Sequence, residues 1–237
     1  MFCLKTNSLI YSFIVVALLT GCSSRIPLNS SYFNNDSKVG LLIVTHGIER
    51  SGGTSGGLTG LLIYAATNNR DKYTDALIKI GPELNPKDRI KKIFIDSLEA
   101  KGKRVIPIGE MKIDTNKLKP FVAPNEDKKY YKIDVRFFNE DYQLDELLIV
   151  DVHYGIYIHY TYGVETRRYG KASIYPTIVN LKDNSILYKD YSRAMNIIYD
   201  DWNTPPDYQN LKNEISKSIN ETIAGVSTIK IKDSKKK

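Results

Sequence analysis

The fold is decided by one stretch of sequence, Leu148-Ile-Val-Asp-Val-His-Tyr-Gly-Ile-Tyr-Ile-His-Tyr-Thr-Tyr162. Every second residue in it, from Leu148 to Tyr162, is apolar or aromatic without a break. Side chains alternate between the two faces of a β-strand, so this period of two predicts one long strand, or two strands with a bend at Gly155. The face opposite the apolar stripe then carries Asp151, His153 and His159.

Strands and helices are also predicted on both sides of this stretch. The continuous apolar run Val39–Thr45 predicts a buried strand, and Arg104–Ile108 predicts a second short one. A hairpin is predicted from Ala172–Asn180 and Ser185–Tyr191, which flank the turn residues Leu181-Lys-Asp-Asn184. Helices are predicted from Leu61 towards Ile80, after Asn85-Pro86 with the apolar face Ile90, Ile93, Phe94 and Leu98, and from Tyr208 to Ile223. This order predicts one mixed α/β domain over residues 39–229, with a mixed sheet packed by helices.

The N-terminus has the features of an export signal. The apolar run Leu9–Leu19 is eleven residues long, whereas a spanning helix needs about 20, so it fits a signal-peptide core. It ends in Leu19-Thr-Gly-Cys22, which resembles the bacterial lipobox. The resemblance implies cleavage after Gly21, lipidation of Cys22 and, with Ser23 next, an outer-membrane location facing the periplasm. Residues 22–38 are rich in Ser and Asn and are interpreted as a tether.

Cysteine content limits the chemistry of the mature chain. The sequence contains two cysteines, Cys3 in the signal and Cys22 at the lipidation position. The exported domain would therefore have no disulfide, no zinc–thiolate site and no cysteine nucleophile. The expected partners are the lipid bilayer, through acylated Cys22, and other envelope proteins, and no cofactor is expected.

The positive charge is concentrated at the C-terminal end. The chain has 34 basic and 27 acidic residues, a net charge of +7. Cleavage of the signal would remove Lys5, and the tail at residues 230–237 contains five lysines and one aspartate. The remaining body is about +2, which is too little for the electrostatic footprint of a nucleic-acid-binding domain. Nucleic acid is therefore not expected as a partner.

A glycine cluster between Gly52 and Gly60 suggests one catalytic hypothesis. Gly53-Thr-Ser-Gly-Gly57 matches the G-x-S-x-G pattern, in which a serine nucleophile sits on a sharp strand-to-helix turn. In that interpretation Ser55 would be the nucleophile and His153 or His159 the base. The alternative is a flexible turn leading into a glycine-rich helix start, and the sequence favours it.

The histidines suggest metal chemistry but do not establish it. Asp151, His153 and His159 share one strand face, yet Asp151 and His159 are eight residues apart, and even six strand residues span about 20 Å. One metal ion cannot bridge that distance on a straight strand. Asp151 and His153, about 6.6 Å apart by the same rise, could pair. His46, placed at the end of the first strand, is interpreted as a structural histidine, so no metal site is predicted.

Two blocks of the chain are Asp145-Glu-Leu-Leu-Ile-Val-Asp-Val-His-Tyr-Gly155 and Val179-Asn-Leu-Lys-Asp-Asn-Ser-Ile-Leu-Tyr188. Together they resemble a loose class of bacterial envelope lipoproteins that includes relatives of the curli-secretion lipoprotein and of the N-terminal domain of TolB-like proteins. The resemblance implies a mixed α/β domain in assembly or transport complexes and brings no catalytic residues. The prediction is a non-catalytic envelope lipoprotein that acts as an accessory or interaction module. The alternatives are a serine hydrolase using Ser55 and a solute-binding module with a tyrosine-lined pocket on the sheet.

Overall fold

The computed structural model describes residues 25–55, 71–108, 117–124, 127–162, 164–199, 202, 204 and 207–232. The strands are β1 (Leu28–Asn29), β2 (Lys38–Ser55), β3 (Arg104–Pro107), β4 (Glu146–Thr161), β5 (Val164–Asn180), β6 (Ile186–Lys189), β7 (Ser192–Ile197) and β8 (Ile231–Lys232). The helices are α1 (Asp71–Leu84), α2 (Lys87–Glu99), α3 (Phe137–Tyr142) and α4 (Gln209–Val226), with a short 3-10 helix at Ser30–Asn34. The predicted signal, Cys22 and the predicted helix start at Leu61 lie outside the described residues. None of the described helices is long and apolar enough to cross a membrane.

Six strands form one mixed sheet in the order β3-β2-β4-β5-β6, and β7 also pairs with β5. β2 runs parallel to both β3 and β4, whereas β5 is antiparallel to β4, β6 and β7. The predicted mixed α/β domain is therefore confirmed. The predicted strand at Arg104 and the predicted hairpin are also present, although β5 begins earlier than predicted and β7 was not predicted.

The alternating stretch forms one uninterrupted strand, β4, so the single-strand interpretation is the correct one. Gly155 lies in its middle with a φ angle of 147°. A Cβ atom there would lie 1.9 Å from the carbonyl oxygen of Glu49 in β2. Only glycine allows the two backbones to approach this closely, because any other side chain would collide with Glu49.

The two faces of β4 have different surroundings. One face carries the alternating apolar residues from Leu148 to Tyr160 and packs against α1, α2 and α4 in the main hydrophobic core. The helix positions that face it include Ile90, Phe94 and Leu98 in α2 and Leu211, Ile215, Ile219 and Ile223 in α4. The opposite face has a smaller apolar cluster around Leu147, Ile149 and Phe138. Beyond Ile149 this second face becomes polar.

Strand β2 is much longer than predicted. It continues through the glycine-containing sequence to Ser55, which pairs with Thr161 of β4. The prediction of a strand over Val39–Thr45 followed by a turn from Gly52 is therefore wrong for Gly52 to Ser55, because pairing with the long β4 extends β2 to Ser55. The last part of the glycine cluster, residues 56–60, lies outside the described residues.

The chain is already packed on the folded domain from residue 25, within the segment 22–38 that was predicted to be a tether. Ile26 exchanges backbone hydrogen bonds with Lys189, and the side chains of Leu28 and Tyr32 are buried. Residues 25–37 are thus packed on the domain and are not a free linker. β1 pairs with β8, so this segment and the C-terminal strand lie side by side.

A buried carboxylate fixes these two terminal segments. Asp190 is 1% exposed and forms ion pairs with Arg25 at 2.8 Å and with Lys230 at 2.9 Å. It also accepts a hydrogen bond from the backbone N–H of Tyr191. A buried charge needs such partners, because an unpaired charge away from water is strongly destabilising.

Candidate metal centre

A β-bulge in β2 lies beside a cluster of two histidines and two carboxylates. The pairing of β2 with β4 shifts between Thr45 and Ile48, so that His46 and Gly47 together lie opposite His153. Before the bulge, even-numbered residues such as Val44 and His46 lie on the polar face of the sheet. After it, the odd-numbered residues Glu49 and Ser51 do. The bulge therefore places both His46 and Glu49 beside His153, as bulges near functional sites commonly do.

Three potential metal ligands converge at this bulge. His46 Nε2 lies 2.6 Å from Asp151 Oδ1, and His153 Nε2 lies 3.3 Å from Asp151 Oδ2. The ligand atoms offered by His46, Asp151 and His153 all lie within 4.8 Å of one another. The Asp151 carboxylate thus lies between two imidazole nitrogens, one from each of two neighbouring parallel strands.

The rings are held by further contacts. The imidazoles of His46 and His153 are stacked, with centroids 4.2 Å apart and planes 5° from parallel. On the other edge of the His153 ring, Nδ1 lies 3.1 Å from Glu49 Oε1. Tyr175 packs edge-on against His153 at 6.0 Å. These contacts fix the orientation of His153 and direct its Nε2 towards Asp151.

Strand β5 provides the neighbouring polar groups. Ser173, directly opposite His153, has a buried hydroxyl oxygen with no hydrogen-bond partner within the described structure. Lys171 lies opposite Gly155, and its Nζ is 3.5 Å from the Ser51 hydroxyl. Burial, followed by the positive charge of Arg193, lowers the pKa of Lys171, while Glu49 acts in the opposite direction. The centre therefore combines two carboxylates with nearby cations.

Solvent can reach the group. The side chains of His46, Asp151 and His153 are 42%, 38% and 30% exposed, and that of Glu49 is 37% exposed. Two imidazoles and a carboxylate are ligands that suit Zn²⁺ and related transition metals. The arrangement can hold a divalent ion while leaving coordination positions open to water.

The structure separates the other predicted site residues from this centre. Asp151 and His153 pair as predicted, but His159 is six residues further along β4, opposite Gly53 of β2. At about 3.3 Å per strand residue it is some 20 Å from His153. His159 is therefore too far from His153 for the two to share one ion. The residue beside Asp151 and His153 is His46.

Ser55 is the last residue of β2, where its backbone pairs with Thr161. The residues from 56 onwards, which would form the strand-to-helix turn of the G-x-S-x-G hypothesis, lie outside the described residues, so the elbow stays a prediction. His153, one of the two bases predicted for Ser55, is eight residues from Thr161, which corresponds to about 26 Å along β4. The hydrogen bonds of His46 and His153 go to carboxylates. A contact between Ser55 and His159 stays a prediction.

Several of the strand tyrosines lie in different surroundings. Tyr154, Tyr160 and Tyr188 belong to the main core, and Tyr157 packs against Tyr169 across β4 and β5 with ring centroids 6.2 Å apart. A cleft of about 860 Å³ lies elsewhere, beside α3, and its lining is largely charged. The tyrosine-lined pocket of the solute-binding hypothesis is therefore not formed by these residues.

His46 is the member of this cluster whose position the sequence does not predict. It was placed at a strand end, whereas it lies in a bulge inside β2. The pattern contained two signals: a histidine that ends a buried apolar run, and a glycine directly after it. Neither shows that β2 pairs with β4, and only that pairing brings His46 to Asp151, 105 residues away.

Comparisons with known proteins give a fold-level likeness only. No protein-family model matches the chain, and no curated protein sequence is significantly similar to it. A lipoprotein from Neisseria meningitidis is 10% identical with a TM-score of 0.30, covering 80% of this chain and 99% of that one. A protein from Xanthomonas campestris of the family DUF330 is 7% identical with a TM-score of 0.32, covering 86% and 89%. A PelC dodecamer from Paraburkholderia phytofirmans is 6% identical with a TM-score of 0.27, covering 84% and 95%. With TM-scores this far below 0.5, these likenesses carry no argument about what this chain does.

Proposed function

We propose that this protein is a non-catalytic lipoprotein of the bacterial cell envelope, anchored through Cys22 and acting as an accessory or interaction module. The bilayer is its first partner, and other envelope proteins are its further partners. By the sorting rule applied to Ser23, its location is the outer membrane, facing the periplasm.

The observation that carries this proposal is how soon the chain joins the domain after Cys22. Arg25 is the third residue after Cys22, and its guanidinium is already paired with the buried Asp190 at 2.8 Å. Three extended residues span at most about 11 Å. A lipid on Cys22 would therefore hold the pole of the domain at Arg25, Lys189 and Lys230 against the headgroups.

The charge of this pole suits a membrane surface. Asp190 neutralises one of the two cations that contact it, and Lys189 lies in the same region. The C-terminal tail after Lys232 adds three more lysines, at residues 235–237. A lysine or arginine close to an anionic membrane contributes about 1 kcal/mol of attraction. The tail thus adds to the acyl chains, which supply the main anchoring.

The non-catalytic part of the proposal is supported by what the histidines contact. Hydrolases that use a serine need a base within hydrogen-bonding reach of the hydroxyl. The ring nitrogens of His46 and His153 instead contact Asp151 and Glu49. Both ring nitrogens of His153 thus contact carboxylates, so in this arrangement neither is directed at a hydroxyl.

Labelled palmitate tests the anchor in cells that express the full chain. We expect incorporation in the wild type and in Cys3→Ala, which keeps the lipobox, but none in Cys22→Ala, which should also leave the membrane fraction. Cys3 is the matched control because it is the other cysteine of the chain. Undiminished labelling of Cys22→Ala would overturn the proposed anchor.

The accessory role needs a separate experiment. The tagged wild-type chain, extracted in mild detergent at native abundance, should elute in an envelope complex larger than its own micelle. Recovery of the protein alone would contradict the accessory role and would leave the anchor unaffected.

A further inference from the structure

We propose that His46, Asp151 and His153 bind one divalent transition-metal ion of the Zn²⁺ class, with Glu49 as a positioning residue. The site is independent of the lipid anchor and of the accessory role proposed above. It would give the polar face of the sheet a ligand of defined chemistry.

The distances between the ligand atoms suit such an ion. Zinc lies about 2.0–2.2 Å from imidazole nitrogen and carboxylate oxygen, so neighbouring ligand atoms of a tetrahedral site are roughly 3.3 Å apart. The observed separations from Asp151 are 2.6 Å to His46 Nε2 and 3.3 Å to His153 Nε2. Small side-chain rotations of partly exposed groups bring the set to that geometry without movement of the strands.

Glu49 supplies the second, independent sign of a metal site. Histidines that bind metals usually donate the N–H of their other ring nitrogen to a carboxylate, which fixes the tautomer and the ring orientation. His153 has this arrangement, with Nδ1 3.1 Å from Glu49 Oε1 while Nε2 faces Asp151. Nδ1 then carries the proton, and the Nε2 lone pair is free to coordinate an ion.

The stacked rings must turn for an ion to bind, because parallel ring planes direct their Nε2 lone pairs side by side. The Nε2 atoms of His46 and His153 both lie beside one carboxylate while their rings stack at 4.2 Å. One dication can accept lone pairs from both nitrogens and from Asp151, and it leaves both rings neutral. The alternative, a purely hydrogen-bonded cluster, is an outcome of the test.

Regular strand pairing supports Asp151 and His153, and His46 lies in the bulge of the neighbouring strand. His46 comes from β2 and the other two ligands come from β4, the two central strands of the sheet, which pair over almost their whole length. Ligands that project from strands are held more precisely than ligands on loops. The close approach of Gly155 to Glu49 fixes the position from which Glu49 reaches His153.

The ligand chemistry selects the class of metal. Two imidazoles disfavour Mg²⁺ and Ca²⁺, which prefer oxygen ligands only. The site has no thiolate, which disfavours Cu(I) and iron–sulfur clusters. Zn²⁺ is the suitable probe, and Cu²⁺ is expected to bind more tightly, as it generally does at nitrogen and oxygen sites.

The test is equilibrium dialysis of the full chain in detergent against Zn²⁺, with the bound metal quantified by mass spectrometry. A purification tag without histidine avoids a competing site. We expect one Zn²⁺ per chain for the wild type and for His159→Ala, because His159 is on the same strand but outside the cluster. His46→Ala, His153→Ala and Asp151→Asn should lose stoichiometric binding. Glu49→Gln should bind about 10–100-fold more weakly, as expected for an outer carboxylate.

Zn²⁺-dependent thermal stabilisation provides a second measurement on the same samples. An ion that binds only the folded chain raises Tm, and the rise should disappear in the three ligand variants. Circular dichroism without metal checks that each variant folds. The proposal is overturned if the folded wild type binds no Zn²⁺ at micromolar concentrations, or if His159→Ala loses as much binding as His46→Ala. Zn²⁺ binding that survives His46→Ala would also overturn it.

Discussion

His46 Nε2 lies 2.6 Å from Asp151 Oδ1, although 105 residues separate the two in the chain. The contact exists because β2 and β4 are parallel neighbours and because His46 lies on the polar face of β2, next to the bulge that brings Glu49 to the same face. Two ordinary strands thereby bring together two imidazoles and two carboxylates on one side of the sheet.

Gly155→Ala should strongly destabilise the protein. The new Cβ would lie 1.9 Å from the carbonyl oxygen of Glu49, and the φ angle of 147° disfavours a side chain as well. We expect the free energy of unfolding to fall by about 3 kcal/mol or more, from combined overpacking and backbone strain. Urea denaturation followed by circular dichroism measures it.

Gly102→Ala is the matched control for this substitution. Gly102 also has a positive φ, of 83°, but nothing lies within 4 Å of the position of its Cβ. Gly102→Ala should lower the free energy of unfolding only by the strain of an alanine at positive φ, about 1–2 kcal/mol. Equal losses of stability in the two variants would contradict the proposed close approach of β2 and β4.

The buried carboxylate of Asp190 gives an asymmetric prediction. The double variant Arg25→Met, Lys230→Met leaves Asp190 buried without a cation, which should lower the free energy of unfolding by about 3–5 kcal/mol. Asp190→Asn should lower it less, because the Arg25 and Lys230 side chains are 49% and 47% exposed and can turn to water.

Thermal unfolding and limited proteolysis distinguish these variants. The double variant should also release the N-terminal segment and become cleavable between residues 25 and 37. An Asp190→Asn chain that is less stable than the double variant would show that Asp190 acts through something other than its two cations.

Packing of α4 on the sheet predicts a contrast between two isoleucines. Ile215 of α4 is fully buried in the main core, whereas Ile197 at the end of β7 is 40% exposed. Ile215→Ala should lower the free energy of unfolding by about 2–5 kcal/mol. Ile197→Ala should lower it by much less, since partly exposed positions rarely contribute that much. Denaturant melts of the two variants should therefore be well separated, and coincident melts would argue against α4 as a core helix.

Glu146 gives a prediction for pH dependence. Burial raises the pKa of its carboxyl above the ordinary value of 4.5, against the opposing effects of a hydrogen bond from Tyr32 and the charge of Lys103. Below pH 4.5 both the folded and the unfolded chain hold the proton, so this contribution to stability is fully present. As the pH rises above 4.5 the unfolded chain releases its proton first, and the free energy of unfolding falls until the folded carboxyl also ionises.

Glu146→Gln should not show that fall. Its free energy of unfolding should therefore rise relative to that of the wild type as the pH increases from about 4.5. Tm measured across this range is the readout, with Glu140→Gln as the exposed control. A difference between Glu146→Gln and wild type that stays constant with pH would contradict the role assigned to burial.

Local patterns predicted the regular elements well. The alternation from Leu148 to Tyr162 predicted β4, and the spacing of Ile90, Phe94 and Leu98 predicted α2. The pairing of Asp151 with His153 also followed from strand geometry. Each of these predictions depends on residues close together in the sequence, where periodicity carries the information.

The parts that could not be predicted depend on pairing between distant segments. The end of β2 was misplaced because glycines usually mark turns, whereas Gly52 and Gly53 are held extended by pairing with Ile158 and His159. The bulge at His46 has no local signature for the same reason. The centre therefore becomes visible only when β2 and β4 are placed side by side.

The most direct test of the proposed metal centre is nuclear magnetic resonance of the imidazole nitrogens. The chain contains three histidines, so ¹⁵N-histidine labelling of the full chain in detergent gives three ring systems, assigned with His46→Gln and His153→Gln. On addition of one equivalent of Zn²⁺ we predict that the Nε2 signals of His46 and His153 move to metal-bound positions. Nδ1 of His153 should stay protonated, and His159 should not change. Equal responses of all three rings, or none, would contradict the centre.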